Sequence, residues 1–247
     1  MKTEKSIVLV VLVGGKGSRL ASVVSDRPKP LADVQGSPFL KLLLKKWSKH
    51  FEIKAVYLLA GHMGEQMIEF AKTLSFEFPV FTLVEPYPLG TGGAIASFLK
   101  YAEGTLDPLQ RLVITNGDTY FNYEGDFESD FRSLGNDKIG LVVSDGLADD
   151  RYDRLLMDGN NEGLALSIRS PGSNDKGLVS VGLYFGLISM FSKWVRKSEQ
   201  SFSFEKSCLP LMVESGVVRA YRRTTNFIDF GTPESFAEIQ LSGDIES

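Results

Sequence analysis

The chain has 247 residues, 43% of them hydrophobic and 23% charged, ordinary values for a globular α/β fold with a sizeable core. A formal net charge of −4, with no basic run, argues against a nucleic-acid-binding surface. The single cysteine, Cys208, excludes an intrachain disulfide framework and fits a reducing compartment. The first apolar run, residues 7–13, follows Lys2 and Lys5 but is too short to span a bilayer. It ends in Gly-Gly-Lys, not in a small-residue cleavage pattern, so a soluble cytoplasmic protein with no membrane contact is expected. The run reads as a buried strand that breaks into Gly14-Gly15-Lys16-Gly17-Ser18-Arg19-Leu20. Glycines let consecutive backbone N–H groups converge on an anion, and a helix expected to follow would add partial positive charge. Arg19 supplies a planar fork for phosphate oxygens. The loop is neither a P-loop, since Gly17 follows Lys16, nor the dinucleotide fingerprint, since Leu20 stands at the third glycine. Next comes Asp26-Arg27-Pro28-Lys29-Pro30-Leu31, where two prolines stiffen the backbone around a lysine. A cation held rigidly so soon after a phosphate loop points to a second contact with the same ligand.

Phe39, Leu40, Leu43, Leu44 and Trp47 then share one face of a helix whose other face carries Lys41, Lys45 and Lys46. His50 closes that helix, where its cation would suit the dipole. Short Val/Ile/Leu-rich strands are expected at 54–60, 80–84 and 111–115, with helices at 66–74 and 94–102 between them. Strand–helix alternation implies parallel pairing, hence a Rossmann-like three-layer α/β sandwich with a mixed, mainly parallel central sheet. After about residue 138 the rhythm changes to successive strands at 139–144, 154–157, 164–168 and 179–186, an antiparallel or mixed extension. Cys208 falls in a helical stretch at 203–214 and reads as a core residue. No linker divides the chain, which reads as one domain, 1–247.

Ligands of open α/β sheets bind beyond the carboxyl ends of the parallel strands. The glycine loop lies at such an end, and so does Asn116-Gly117-Asp118. A second acid, Asp229, stands in Phe227-Ile228-Asp229-Phe230-Gly231-Thr232-Pro233-Glu234, with Thr232 as an expected N-cap before a helix that has Pro233 at its first position. Two carboxylates with open positions and substrate phosphates match how Mg²⁺ is usually held. Glu85-Pro86-Tyr87-Pro88-Leu89-Gly90-Thr91-Gly92-Gly93 leaves a strand and enters a helix through glycines, a loop against which a flat base can lie. Neither His50 nor His62 has a metal-like partner, and no nucleophilic Ser or His constellation is present.

Five of these segments, beginning at Gly14, Arg27, Glu85, Asn116 and Phe227, occur in the order seen in sugar-1-phosphate nucleotidyltransferases, which the chain resembles over nearly its whole length. Within them it is most similar to the bacterial D-glycero-D-manno-heptose 1-phosphate guanylyltransferases, with Ser203-Phe204-Glu205-Lys206 before Leu209-Pro210 adding to the match. The resemblance implies a nucleoside triphosphate, GTP, condensed with a sugar 1-phosphate, a heptose, to give a nucleotide sugar and pyrophosphate, with Mg²⁺. It implies that Val13, Gly14, Gly15, Lys16, Gly17, Ser18 and Arg19 line the nucleotide, with Glu85, Gly90, Thr91, Gly92, Gly93, Asn116 and Gly117. Arg19, Lys29 and Asp118 become catalytic, and Asp118 and Asp229 hold the metal. Tyr152, Arg169, Lys176, Ser180 and Glu205 face the sugar phosphate. The nucleotide half is about 1–120 and the sugar-phosphate half about 121–247. The family often forms homodimers, though no helix here carries an unmistakable interface stripe.

Departures from the family pattern cluster on the acceptor side. Arg151-Tyr152-Asp153 stands for Arg-Tyr-Gly, Arg169-Ser170-Pro171 for a Glu-Glu-Lys segment, and Ser180-Val181-Gly182 for Asn-x-Gly. An intact nucleotide half with an altered acceptor pocket is therefore expected, with Arg169 or Lys176 as replacements for the missing lysine. Two alternatives stay open: another pair such as CTP and a different phosphorylated acceptor, or a non-catalytic nucleotide-sugar-binding subunit. The retained Asp118, Asp229, Arg19 and Lys29 weigh against the second.

Overall fold

Strand β1 (Ile7–Leu12) is the centre of the architecture, because alternate side chains feed two different cores. Ile7, Leu9 and Val11 point into one, Val8 and Val10 into the other. The computed structural model describes residues 5–145, 152–169, 177–195 and 201–241. In chain order, β1 is followed by 3₁₀ turns at Ser18–Leu20 and Lys29–Leu31, a small hairpin of β2 (Asp33–Val34) and β3 (Ser37–Pro38), and α1 (Phe39–His50). Then come β4 (Ile53–Ala60), α2 (Gly64–Thr73), β5 (Val80–Val84), α3 (Gly90–Ala102), β6 (Arg111–Asn116), β7 (Thr119–Tyr120) and α4 (Phe127–Leu134). The second half holds β8 (Ile139–Asp145), β9 (Arg154–Met157), β10 (Glu162–Arg169), β11 (Leu178–Leu187), α5 (Ile188–Trp194), α6 (Phe204–Ser207) and α7 (Leu209–Glu214). It ends with β12 (Val218–Thr224), β13 (Ile228–Asp229) and α8 (Pro233–Leu241).

Nine strands form one sheet in the order β5-β4-β1-β6-β11-β8-β12-β10-β9. β5, β4, β1 and β6 pair in parallel, as the strand–helix alternation requires. β11 runs against both β6 and β8, β12 is parallel to β8, and β10 is antiparallel to β12 and β9. β10 and β11 are thus the two strands that run against the rest, which gives the mixed, mainly parallel sheet expected from the sequence. One core packs α1, α2, α4 and α8 on the first face, and the other packs α3, α5, α6 and α7 on the second. Helix α1 illustrates the cause. Its buried side chains, Phe39, Leu40, Leu42, Leu43, Leu44 and Trp47, lie on one stripe, and Trp47 stacks on Phe51 and meets Phe121 edge-on.

Registry sets the site. Leu12 pairs with Asn116 and with Leu59, and Ala60 with Val84, so the glycine loop, Gly61, Glu85 and Gly117 leave the sheet along one edge. β11 enters from that same side, where Leu183 is opposite Thr115, so Ser180 and Gly182 project past the end of β6. The β11–β8 register shifts between Ser180 and Tyr184, which lets Gly182 take a left-handed φ of 74°. Cys208 is buried in the second core, as expected. The glycine loop, by contrast, feeds only the three-residue turn Ser18–Leu20 and no α-helix, so the helix-dipole contribution read from the sequence is absent. Burial and the ammonium groups of Lys46 and Lys49 push the His50 imidazole below its usual range, which disfavours the cation read at that helix end.

Candidate active site

The acids that are far apart in sequence meet through a ladder of two residues. β13 pairs antiparallel with β7, placing Asp229 opposite Thr119, and the Phe230 N–H donates to the Asp118 carbonyl at 3.2 Å. Lys29 closes the group. Its ammonium donates to Asp118 Oδ2 at 2.7 Å and lies 3.6 Å from Asp229 Oδ1, with the Phe230 ring centroid 5.2 Å away. Its alkyl stem runs beneath Gly17, whose φ of 60° and missing Cβ allow the approach; a Cβ there would lie 3.2 Å from Lys29 Cβ. The glycine loop, the proline-held lysine and both acids are therefore one mechanical unit. Arg19 lies beside Gly231, where a Cβ would sit 3.1 Å from the guanidinium Nη2.

Asp229 is the electrostatic centre of this unit. Burial and the neighbouring Asp118 charge raise its pKa above the usual carboxylate range, against the opposing pull of Lys29, Arg19 and the Tyr152 hydroxyl. Tyr152 donates to Asp229 Oδ2 at 3.3 Å, while the buried Oδ1 has no hydrogen-bond donor. An unsatisfied buried carboxylate oxygen beside a second carboxylate fits a hard divalent cation, which takes oxygen ligands and keeps positions for water and phosphate. No cluster of three or more His, Cys, Asp or Glu suited to a metal occurs among the described residues, so two carboxylates are what the protein offers.

Two clefts converge here. The first, about 470 Å³, is lined by Gly14, Gly15, Lys16, Glu85, Pro88, Gly90, Thr91, Ala94, Asn116, Asp118, Ser201 and Glu205, with Leu12 and Leu59 at its floor. The second, about 300 Å³, is lined by residues including Asn116, Tyr152, Asp153, Ile168, Ser180, Gly182, Tyr184, Ser203, Glu205 and Lys206. Asn116 and Glu205 belong to both walls, so the clefts meet next to Asp118. Gly182 has no Cβ because the Asn116 amide occupies that space; a Cβ would fall 2.2 Å from its Nδ2. Glu85 is half-buried, and burial raises its pKa although the Leu89 N–H donates to it at 3.0 Å.

Not every expected nucleotide contact faces the first cleft. Val13 is buried, its N–H bonded to the Leu59 carbonyl, and Gly117 packs against Val13 and donates to Leu12. Gly92 and Gly93 are buried; Gly92 lies under the Phe202 ring and donates to the Phe202 carbonyl at 3.0 Å. Ser18 and Arg19 are exposed at the mouth of the glycine loop, and Lys16 is exposed within the lining. Of the acceptor-side residues, Tyr152, Ser180 and Glu205 line the second cleft together with the departures Asp153 and Ser180, while Arg169 pairs with Arg154 at the β10–β9 ladder end and lies outside the lining. Lys176, and the departures Arg151, Ser170 and Pro171, lie outside the described residues. Sequence reading missed Ser201, Phe202 and Gly61, which bound the first cleft; only packing across the chain reveals them.

No helix among the described residues is long and apolar enough to cross a membrane. The chain is 30% identical, over 94% of its length and 98% of the relative's, to a D-glycero-alpha-D-manno-heptose 1-phosphate guanylyltransferase of Campylobacter jejuni. A protein of the same name from Aneurinibacillus thermoaerophilus is 28% identical over 94% of this chain and 96% of that one. The crystal structure of HddC from Yersinia pseudotuberculosis, 28% identical, superposes with a TM-score of 0.76 over 95% of this chain and 98% of that chain, and a second structure of that protein is complexed with GMP-PN. A UDP-glucose pyrophosphorylase from Acinetobacter baumanii, 14% identical, shares the fold with a TM-score of 0.76 over 98% of this chain and 96% of that one. With residues 8–243 matching the nucleotidyl transferase model, the chain belongs to the nucleotidyl transferase family.

Proposed function

We propose that this chain joins GTP to D-glycero-alpha-D-manno-heptose 1-phosphate, giving GDP-heptose and pyrophosphate. The observation that carries the reading is end-to-end similarity to two proteins named for that activity, combined with two clefts that converge on the Lys29, Asp118 and Asp229 cluster. The GMP-PN complex of HddC supports a guanine nucleotide in the first cleft.

In this reading an oxygen of the sugar phosphate attacks the α-phosphorus in line. A new P–O bond forms, the bond from α-phosphorus to the bridging oxygen breaks, and pyrophosphate carries the electron pair away. A phosphate monoester loses its second proton at about pH 6, so the nucleophile needs no strong general base. The absence of a catalytic histidine or serine from the expected site is thereby explained. The protein contributes position and charge. Backbone groups of Gly14, Gly15 and Gly17 cradle the triphosphate, Arg19 steadies the leaving pyrophosphate, and Lys29 carries its ammonium toward the reacting phosphates. Asp118 and Asp229 would hold Mg²⁺, which when bound supplies charge neutralisation across the phosphates. Glu85 and the Gly90–Thr91 turn border the base, and Tyr152, Ser180 and Glu205 border the sugar phosphate.

A second reading keeps the chemistry and changes the acceptor. Asp153 and Ser180 on the wall of the second cleft favour it, because an added carboxylate there disfavours an anionic group close by. One experiment separates the readings: pyrophosphate release with Mg²⁺ across four nucleoside triphosphates and a panel of sugar 1-phosphates. GTP with the heptose 1-phosphate is expected to be fastest. A different preferred acceptor supports the second reading, and no release with any pair overturns both.

A further inference from the structure

Lys29 is drawn into the same oxygens that a divalent ion would need. Its ammonium is 2.7 Å from Asp118 Oδ2 and 3.6 Å from Asp229 Oδ1, and its side chain is only 10% exposed. Metal–oxygen bonds of about 2.0–2.1 Å to those two atoms would bring a doubly charged ion against the ammonium. Like charges that close repel strongly in a half-buried site. The stem of Lys29 is confined beneath Gly17 and between two prolines, so the ammonium has few other places to go within the protein. It can swing outward only toward the glycine-loop cleft, where triphosphate oxygens would take over its hydrogen bonds.

We propose that Lys29 competes with the divalent cation for Asp118 and Asp229, so that the protein admits the metal together with the triphosphate and excludes it otherwise. Lys29 thus has two opposite effects: it weakens metal binding to the free protein and strengthens triphosphate binding. The inference rests on reading the two acids as metal ligands, and on nothing about the sugar or the base.

The test is Mn²⁺ titration of the full chain without nucleotide, followed by electron paramagnetic resonance of the free ion. Lys29→Met should lower the Mn²⁺ dissociation constant at least about tenfold relative to the native protein. Lys29→Arg, which keeps the cation, should stay close to native. Combining Lys29→Met with Asp118→Asn should erase the gain. Tripolyphosphate should tighten Mn²⁺ binding in the native chain, an arm that needs no variant to fold. Unchanged or weaker Mn²⁺ binding in Lys29→Met, or no effect of tripolyphosphate, overturns the competition. A gain that survives Asp118→Asn overturns the metal assignment itself. Pyrophosphate release by the native chain with GTP and heptose 1-phosphate, run alongside, bears on the proposed reaction alone.

Discussion

Gly182 shows how much of the site depends on one missing side chain. Its φ of 74° is costly for any L-residue, and an alanine Cβ would meet the Asn116 amide at 2.2 Å. Asn116 borders both clefts, so a Gly182→Ala change should disturb the junction itself. The expected outcome is a loss of about 1–3 kcal/mol in stability and at least about a tenfold fall in kcat/KM. Thermal unfolding and steady-state kinetics check both; native-like kinetics would separate Gly182 from the reaction. Residue-level chemistry was largely legible in the sequence where type and spacing were unusual. Lys29 between two prolines, and Asp229 among apolar neighbours, stand out before any coordinates. Val13, Gly92 and Gly93 were less transparent, because a glycine needed for ligand approach looks the same as one needed for packing under Phe202.

Between elements, the joint of α3 and α6 ties the first cleft to the second. Thr91 Oγ1 accepts from the Phe204 N–H at 2.9 Å and donates to Glu205 Oε2 at 2.6 Å, while Ser203 donates to the same oxygen at 2.8 Å. Ser203 also caps α6 by accepting from the Lys206 N–H. Thr91→Val removes the donor and the acceptor together and leaves the Phe204 N–H unpaired, a cost of about 1–3 kcal/mol. Because Glu205 borders both clefts, KM should rise for nucleotide and acceptor alike; a change confined to stability would show that the joint is only structural. Main strands and helices of this kind were readable from apolar runs and helical stripes. The short ladders were not. β7 and β13 are two residues each, too brief for any periodicity, yet they bring Asp118 beside Asp229. The turn at Ser18–Leu20 was read as a helix start because capping signals do not reveal length.

At the scale of the molecule, the two halves of the sheet are held by a polar network remote from both clefts. Arg223 on β12 donates through Nε to Asp130 Oδ2 at 2.7 Å and through Nη2 to Oδ1 at 2.5 Å, and it reaches Glu162 on β10 at 2.9 Å. Tyr123 donates to the same carboxylate, and burial, with that carboxylate, raises its pKa. Asp130 is 4% exposed, so Asp130→Ala strands a guanidinium and a phenol. A destabilisation of about 3–5 kcal/mol is expected, a fall in Tm of roughly 6–15 °C, with KM values unchanged below the transition. A shift of under about 2 °C would show the network to be dispensable. The sheet order was legible only in part. Strand–helix alternation specified the parallel half, whereas β9 pairs with both β10 and β11, a non-local choice that no local pattern encodes. The account as a whole requires that the joined clefts perform nucleotidyl transfer at the Asp118 and Asp229 pair. Phosphorus NMR of GTP, Mg²⁺ and D-glycero-alpha-D-manno-heptose 1-phosphate tests this directly, with the native chain and Asp118→Asn run in parallel. The native chain should convert the mixture to a diphosphate-linked sugar and pyrophosphate, while a folded Asp118→Asn should be slower by at least about a hundredfold. Equal conversion by both proteins, or none by the native chain, would contradict it.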